Sequence, residues 1–226
     1  MAALDPTEGS PDDDRGYGVL LILILALLVA QTVAHEYRGG GLVVGVLVTA
    51  VLLVALRSSH VKRPLFRATA IFAAIGLIAL VSATIDTSRT LVPDIALVVG
   101  VLLAAAPLVV LGRIVRHRVI TIETIFGAIS VYLLIALVFA FWFSGVHNAD
   151  GAAFILPEAE PNQTTWTYYS FVTITTLGYG DITPVATMAR SLAGIEAVLG
   201  QVYLVTIVAR FVSLLGTAPP RRAEVR

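Results

Sequence analysis

The sequence contains no cysteine, only one lysine and few charged residues. The absence of cysteine excludes disulfide bonds, thiolate metal sites and cysteine nucleophiles. Charged residues make up 13% of the 226 residues, about half the usual share of a soluble domain. The net charge is zero, so nothing points to nucleic acid as a partner. The excess of arginine over lysine, in a background rich in alanine and valine, indicates a GC-rich bacterial genome.

Apolar residues dominate the chain and fall in long runs. They make up 58% of it, and the mean hydropathy is +0.90. A helix needs about 20 predominantly apolar residues to cross the hydrocarbon core of a membrane. Long runs separated by short charged clusters therefore predict an all-α membrane protein with six transmembrane helices. We place these spans at residues 17–34, 39–56, 65–85, 91–114, 123–146 and 186–215.

The basic residues alternate from loop to loop. Lysine and arginine cluster after the second, fourth and sixth spans, whereas the other loops carry one arginine each or none. Because basic residues mark the cytoplasmic side of short loops, both termini are expected in the cytoplasm and residues 147–185 on the outer side. Residues 1–16, acidic and proline-containing, are expected to form a disordered cytoplasmic tail. The expected location is the cell (plasma) membrane.

The segment between the fifth and sixth spans has an unusual composition. Residues 164–175 read TTWTYYSFVTIT, which is too short to span a membrane and too apolar for an exposed loop. We predict a re-entrant half-helix that begins at Thr164 or Thr165 as the N-cap, enters from outside and ends near mid-membrane.

The stretch TLGYGD follows this half-helix directly. Backbone carbonyls can replace the hydration oxygens of a cation if successive carbonyls all face one axis. Gly178 and Gly180 tolerate the positive φ angles that such a backbone needs. Thr176 adds a hydroxyl oxygen at the inner end, and the carboxylate of Asp181 attracts cations to the outer mouth. The pattern predicts an ion-selective filter between the fifth and sixth spans.

This stretch resembles the potassium channel signature T-x-G-Y-G-D, and five residues match it: Thr176, Gly178, Tyr179, Gly180 and Asp181. The resemblance covers the pore module, about residues 122–216. It implies a passive, potassium-selective channel without a cofactor. It also implies a homotetramer, because one filter strand cannot encircle an ion. The permeant K+ would be coordinated by five residues: Thr176, Leu177, Gly178, Tyr179 and Gly180.

Three half-helix residues are expected to support the filter: Tyr168, Tyr169 and Thr175. The two tyrosines stand where many relatives carry tryptophan, and either hydroxyl could donate to Asp181 or to the neighbouring strand. Glu196, in the sixth span, is a carboxylate at membrane depth, where such groups usually face protein or water. We interpret Glu196 as a support behind the filter, with a protonated or hydrogen-bonded packing residue as the alternative.

The sixth span is expected to line the inner part of the pore. Gly200 lies at the position of the family's hinge glycine, and either bending or close helix packing would account for a glycine there. Residues at a spacing of three to four share one face that we assign to the inner cavity: Gln201, Leu204, Val208 and Val212.

The first four spans form the expected N-terminal domain, 17–114, which precedes the pore domain, 122–216, and a cytoplasmic tail, 217–226. Voltage-gated channels share this plan, but their fourth span carries arginine at every third position. Here only Arg113 and Arg116 keep that spacing, both at the cytoplasmic end. We expect weak or no voltage dependence, with gating by the filter, the inner bundle, lipid, pH or a separate partner.

Other functions fit the sequence less well. A non-selective cation channel would usually alter GYGD, and a transporter built from pore-like units needs four related segments. A non-conducting sensor with a relic pore would be free to lose the filter oxygens. An enzyme is not expected, because the sequence shows no nucleophile–base pair or metal cluster. The expected partners are further copies of the chain, membrane lipids and K+, with room for an unidentified regulatory partner.

A second Gly-Tyr-Gly tripeptide occurs at residues 16–18. It follows Arg15 where a filter needs a threonine oxygen, and no half-helix precedes it. We interpret Tyr17 as an interfacial tyrosine at the entry of the first span.

Overall fold

The computed structural model describes residues 16–34, 40–58, 92–115, 121–157 and 161–215. The predicted third span, 65–85, and the predicted tail 217–226 lie outside the described residues. The predicted N-terminal tail does so as well, apart from Gly16, with which the first helix begins.

The described residues form six helices and one pair of two-residue strands. Four helices are long and apolar enough to cross a membrane, and a fifth contains a shorter apolar stretch, Val43–Arg57. The helices lie within a few residues of the predicted positions, and the protein is an essentially all-helical membrane protein. The elements are α1 (Gly16–Ala34), α2 (Gly40–Ser58), α3 (Val92–Ile114), α4 (Ile122–Ala149), β1 (Phe154–Ile155), α5 (Gln163–Ile174), β2 (Thr183–Pro184) and α6 (Thr187–Leu215).

Helix α4 lies at the centre of the described structure. It contacts α1, α3, α5 and α6, and most of its residues are buried. A reciprocal capping pair defines its start: Thr121 accepts from the Thr124 amide at 3.2 Å, and Thr124 Oγ1 accepts from the Thr121 amide at 3.3 Å. These bonds satisfy two amides that the first helical turn leaves without partners.

Contacts between helix ends define the relative directions of the helices. The Gly18 amide in α1 donates to Glu123 Oε2 in α4 at 3.0 Å, and Arg210 in α6 donates to the Val115 carbonyl after α3 at 2.7 Å. The starts of α1 and α4 therefore meet at one end of the protein, and the ends of α3 and α6 meet as well. This arrangement agrees with the predicted alternation of spans. The side of the membrane to which each end belongs stays a prediction.

At the other end, α1 meets the first turns of α5. Thr164 Oγ1 donates to the Gln31 carbonyl at 3.0 Å, and Thr167 Oγ1 lies 2.8 Å from Gln31 Oε1. Gln31 is 4% exposed, so these are interior contacts. They join the N-terminal helices directly to the segment that precedes the filter.

Tyr17 lies at the start of the first helix, as predicted, and its position at a membrane interface stays a prediction, but the sequence did not indicate that its side chain is buried. Its side chain is 1% exposed and lies against Gly127 of α4, where an added Cβ would be 3.2 Å from Cγ of the tyrosine ring. Beside it, Glu123 accepts from Gly18 and lies in the first turn of α4. A carboxylate near a helix N-terminus is favourable, and Glu123 lies near the N-termini of both α1 and α4. The first Gly-Tyr-Gly is therefore a packing anchor between α1 and α4.

Helix α5 lies between α4 and α6 and runs antiparallel to α4. Ser170 donates to the Ala136 carbonyl at 2.6 Å, and Tyr132 donates to the Ile174 carbonyl at 3.2 Å. Tyr132 lies ten residues after the first residue of α4, or about 15 Å along a helix that rises 1.5 Å per residue. The helix α4 continues for 17 residues beyond Tyr132, so α5 ends at an intermediate level of α4.

The strand pair was not expected from the sequence. In β1 and β2, Phe154 pairs with Pro184 and Ile155 with Thr183, in antiparallel register. The amides of residues 185 and 186 both donate to the Ala153 carbonyl, at 2.9 and 3.2 Å. The loop after α4, which belongs to the residues predicted on the outer side, thus contacts the segment that follows Asp181.

Candidate functional site

The N-cap of α5 lies two or three residues before the predicted position. Asn162, and neither Thr164 nor Thr165, caps it: Asn162 Oδ1 accepts from the Thr165 amide at 3.1 Å. Thr165 Oγ1 in turn accepts from the Asn162 amide at 3.3 Å, which completes a capping box. Thr165 therefore contributes to the cap from the third helical position. The opposite end of α5, with its partial negative charge, leads directly into the filter stretch.

The φ angle alternates in sign along the backbone of residues 176–180. Thr176, Gly178 and Gly180 have φ angles of +57°, +56° and +79°, whereas Leu177 and Tyr179 do not have positive φ. In a regular strand successive carbonyls point in opposite directions. A change of hand at every second residue turns them towards a common side, as a row of ion-coordinating carbonyls requires. The sequence indicated positive φ only for the glycines; the left-handed Thr176 was missed, since threonine rarely adopts it.

The first part of the filter folds back onto the last turn of α5. The Thr176 amide donates to the Thr173 carbonyl at 2.9 Å. The amides of Leu177 and Gly178 both donate to the Val172 carbonyl, at 2.9 and 3.3 Å. These bonds use the amides, and none of the described hydrogen bonds joins a carbonyl of residues 176–180 to α5; the Gly180 carbonyl accepts from Thr183 Oγ1 at 3.3 Å.

Tyr168 contacts the end of the filter stretch that carries Asp181. Its hydroxyl donates to Asp181 Oδ2 at 2.7 Å, which confirms the hydrogen bond expected for one of the two tyrosines. Its ring stacks on that of Tyr179, with centroids 6.4 Å apart and planes inclined by 7°. The hydrogen bond to Asp181 raises the pKa of Tyr168 to about 12. The hydroxyl therefore remains a donor throughout the neutral and moderately alkaline range.

We expect Tyr168→Phe to weaken the outer end of the filter and to shorten the open periods of single channels several-fold. The variant keeps the stacked ring and removes only the hydrogen bond to Asp181. Because the pKa of Tyr168 is raised from 10.0 to about 12, the contribution of this bond is complete below pH 10 and is lost as the pH rises through about 12. Single-channel recording at neutral pH measures the effect.

Tyr179→Phe is the matched control for Tyr168→Phe, because it removes the hydroxyl of the other stacked ring. Open periods that shorten equally in both variants would contradict a specific role for the Tyr168–Asp181 hydrogen bond.

The neighbouring tyrosine has a different environment. Tyr169 is 6% exposed and packs edge-on against Phe143 and Phe154, with centroids 4.7 and 5.6 Å away. It thus joins α5 to α4 and β1, on the side of the helix away from Tyr168. Thr175 donates to the Phe171 carbonyl at 2.6 Å and closes the last turn of α5.

Glu196 is fully buried and contacts α5. Its Oε1 meets Ser170 Oγ, and its other oxygen has no hydrogen-bond partner among the described residues. The described contacts place it beside the helix that precedes the filter, and they do not join it to the filter strand itself.

Gly200 follows one turn later on the same face of α6. A Cβ at this position would lie 2.5 Å from Ile174 Cγ1 and 2.8 Å from the Ile174 carbonyl oxygen. Such distances leave no space for a methyl group, so close packing alone is sufficient reason for glycine here. The residues assigned to the inner cavity lie on an adjacent face that is exposed in the single chain: Gln201, Leu204, Val208 and Val212.

Residues 119–216 match a family model described as "Ion channel". Neither the curated proteins nor the solved structures contain a significant match to the chain. The matched residues include α4, α5, the filter stretch and α6, and their bounds lie within three residues of the predicted pore domain, 122–216. Over residues 119–216 the chain is therefore similar to the ion channel family.

Proposed function

We propose that the protein is a potassium-selective channel in which four copies of the pore module surround one conduction pathway. The family match supports passive ion conduction. The observation that carries the selectivity is the alternating backbone hand from Thr176 to Gly180. It turns successive carbonyls to one side without using them in hydrogen bonds to α5, as replacement of the K+ hydration shell requires. We assign coordination of K+ to residues 176–180.

The exposure of the single chain supports assembly into a homotetramer. In the apolar window of α6 only 17% of the residues are buried, against 67% in α4. Large apolar side chains such as Val202 and Val205 are 58% and 67% exposed. Every residue from Thr175 to Asp181 is also exposed. Three further copies around the filter would cover these surfaces and complete the ring of oxygen ligands.

The position of α5 supports a re-entrant half-helix. Its C-terminal residue, Ile174, meets α4 at Tyr132, between the two ends of that helix. Irregular backbone at membrane depth is tolerated where it lines a water-filled path. With the loop charges of the sequence, this supports the proposal that Asp181 lies at the outer mouth and that both termini lie on the cytoplasmic side of the plasma membrane.

We propose weak or absent voltage dependence. Arg113, in the last turn of α3, is the only basic residue of that helix. Charge that crosses the membrane field is what makes opening steeply voltage-dependent, at about 2.3 kcal/mol per elementary charge and 100 mV. One arginine at the end of a helix supplies little of it.

The decisive experiment is a recording from purified protein in planar bilayers, with KCl on one side and NaCl on the other. We expect a reversal potential displaced by about 59 mV for every tenfold preference for K+. A value near zero would establish the non-selective alternative. Absence of current from an assembled tetramer, across lipid composition and pH, would favour the non-conducting sensor. A steep sigmoidal activation curve in the same recordings would contradict weak voltage dependence.

A further inference from the structure

We propose that Glu196 is a neutral carboxylic acid and that its proton completes a chain of hydrogen bonds, called the latch below, which joins α6, α5 and α4. Loss of this proton in alkaline solution releases the latch and reduces conduction. The carboxylic acid donates to Ser170, and Ser170 donates to the Ala136 carbonyl. The effect on conduction rests on the proposed channel function. The state of the latch itself can be measured without any current.

The number of available hydrogens requires the neutral acid. Ser170 Oγ lies 2.6 Å from the Ala136 carbonyl oxygen and also contacts Glu196 Oε1. A serine hydroxyl carries one hydrogen, and a carbonyl carries none. If Ser170 donates to Ala136, the hydrogen in the second contact must come from Glu196. The opposite assignment would leave two oxygens 2.6 Å apart with no hydrogen between them.

Among the described residues, the Ser170 hydroxyl is the only hydrogen-bond partner of Glu196. The side chain is fully buried, and its Oε2 has no hydrogen-bond partner among the described residues. Two titratable groups of the helices packed against it interact with it electrostatically, Tyr132 of α4 and Tyr169 of α5, and neither is a cation. A buried carboxylate without a cation or sufficient donors is costly. An ionised Glu196 would have to leave this position.

The latch acts close to the filter because its contacts are in register with a second pair. Glu196 meets Ser170, and four residues later on both helices Gly200 meets Ile174. The residue numbers rise together on both helices, by four residues or about one turn, so α5 and α6 run in the same direction where they pack together. Ile174 is two residues before Thr176. Separation of the helices at Glu196 would therefore loosen the segment that positions the first filter carbonyl.

Two measurements on the purified protein test the latch directly. The infrared spectrum should contain the carbonyl stretch of a buried protonated carboxylic acid, which Glu196→Gln removes. The melting temperature should fall with rising pH in the wild type, because the folded protein holds a proton that the unfolded chain releases. Glu196→Gln, whose amide can donate to Ser170 but has no proton to lose, should show a smaller fall. Glu123→Gln, the control in another carboxylate, should keep the wild-type fall of the melting temperature with pH, although its melting temperature should be lower because the contact with Gly18 is weakened.

The functional arm uses K+ currents, each normalised to its value at neutral pH. We expect the wild-type current to decline several-fold in alkaline solution, and the decline to be largely absent in Glu196→Gln. A pH profile of melting that is identical in wild type and Glu196→Gln, without the carboxylic acid band, would overturn the latch. If the band and the melting behaviour are present but alkaline currents are unchanged, the link to conduction is overturned. A lack of K+ selectivity contradicts the proposed function and leaves the melting test valid.

Discussion

Gly178→Ala is expected to abolish selective K+ conduction while the chain still folds and assembles. Gly178 has φ of +56°, a conformation that costs a residue with a Cβ about 1–2 kcal/mol. No atom lies within 4 Å of an added Cβ in the single chain, so the methyl group causes no clash there. The strain is relieved when φ becomes negative, which rotates the peptide that carries the Leu177 carbonyl. One oxygen per chain would then leave the filter, and hence four in the proposed tetramer.

The measurement for Gly178→Ala is the bi-ionic reversal potential, together with the size of the purified assembly. We expect at least a tenfold loss of K+ preference, or no current, in a protein of unchanged size. Gly151→Ala is the control, since Gly151 lies in the loop after α4 with open space around it and without positive φ. Wild-type selectivity in Gly178→Ala would show that the alternating backbone does not determine selectivity.

Gly200→Ala is expected to destabilise the pore module and to suppress conduction. Its Cβ would lie 2.8 Å from the backbone oxygen of Ile174, so the rigid end of α5 must move. Overpacking of this kind costs about 1–3 kcal/mol. The same carbonyl accepts the hydrogen bond from Tyr132, and a shift of α5 would strain that bond too. The effects should appear as a lower melting temperature and a reduced current at every voltage.

The melting measurement distinguishes packing from a hinge at Gly200. Replacement of a hinge glycine would stiffen α6 and change opening, while the helix itself gains stability from alanine. Gly194→Ala is the matched control, because Gly194 lies six residues earlier in α6 with no atom near its Cβ position. If both variants melt at or above the wild-type temperature and only Gly200→Ala alters opening, bending is the reason for the glycine.

The helices of this protein could be predicted from its sequence because their signal is local. A run of apolar residues specifies a membrane helix without reference to its neighbours. The same holds for the filter stretch, where glycines and threonine mark an unusual backbone over a few positions. The Tyr168–Asp181 hydrogen bond could also be predicted from the sequence, as a bond from one of two adjacent tyrosines to the carboxylate.

The features that the sequence did not indicate depend on contacts between distant segments. Burial of Tyr17 requires Gly127 of α4, which is 110 residues away. The strands β1 and β2 are too short to show an alternating pattern of apolar and polar residues. Their pairing joins two segments that are separated in the sequence by α5 and the filter stretch. The partner of Glu196 could not be identified either, since any of several hydroxyls of the half-helix would have suited a carboxyl group.

The contacts of Gln31 mean that the pore module depends on α1 for part of its packing. The match to the ion channel family begins at residue 119, yet Thr164 and Thr167 in the first turns of α5 form hydrogen bonds with α1. A minimal pore that begins at that boundary would lack these partners, and the surface of α4 that Tyr17 covers would be exposed. Grafting this pore onto a foreign N-terminal region would therefore require transplantation of α1 as well. The boundary of the family in sequence is not a boundary in the packing of the protein.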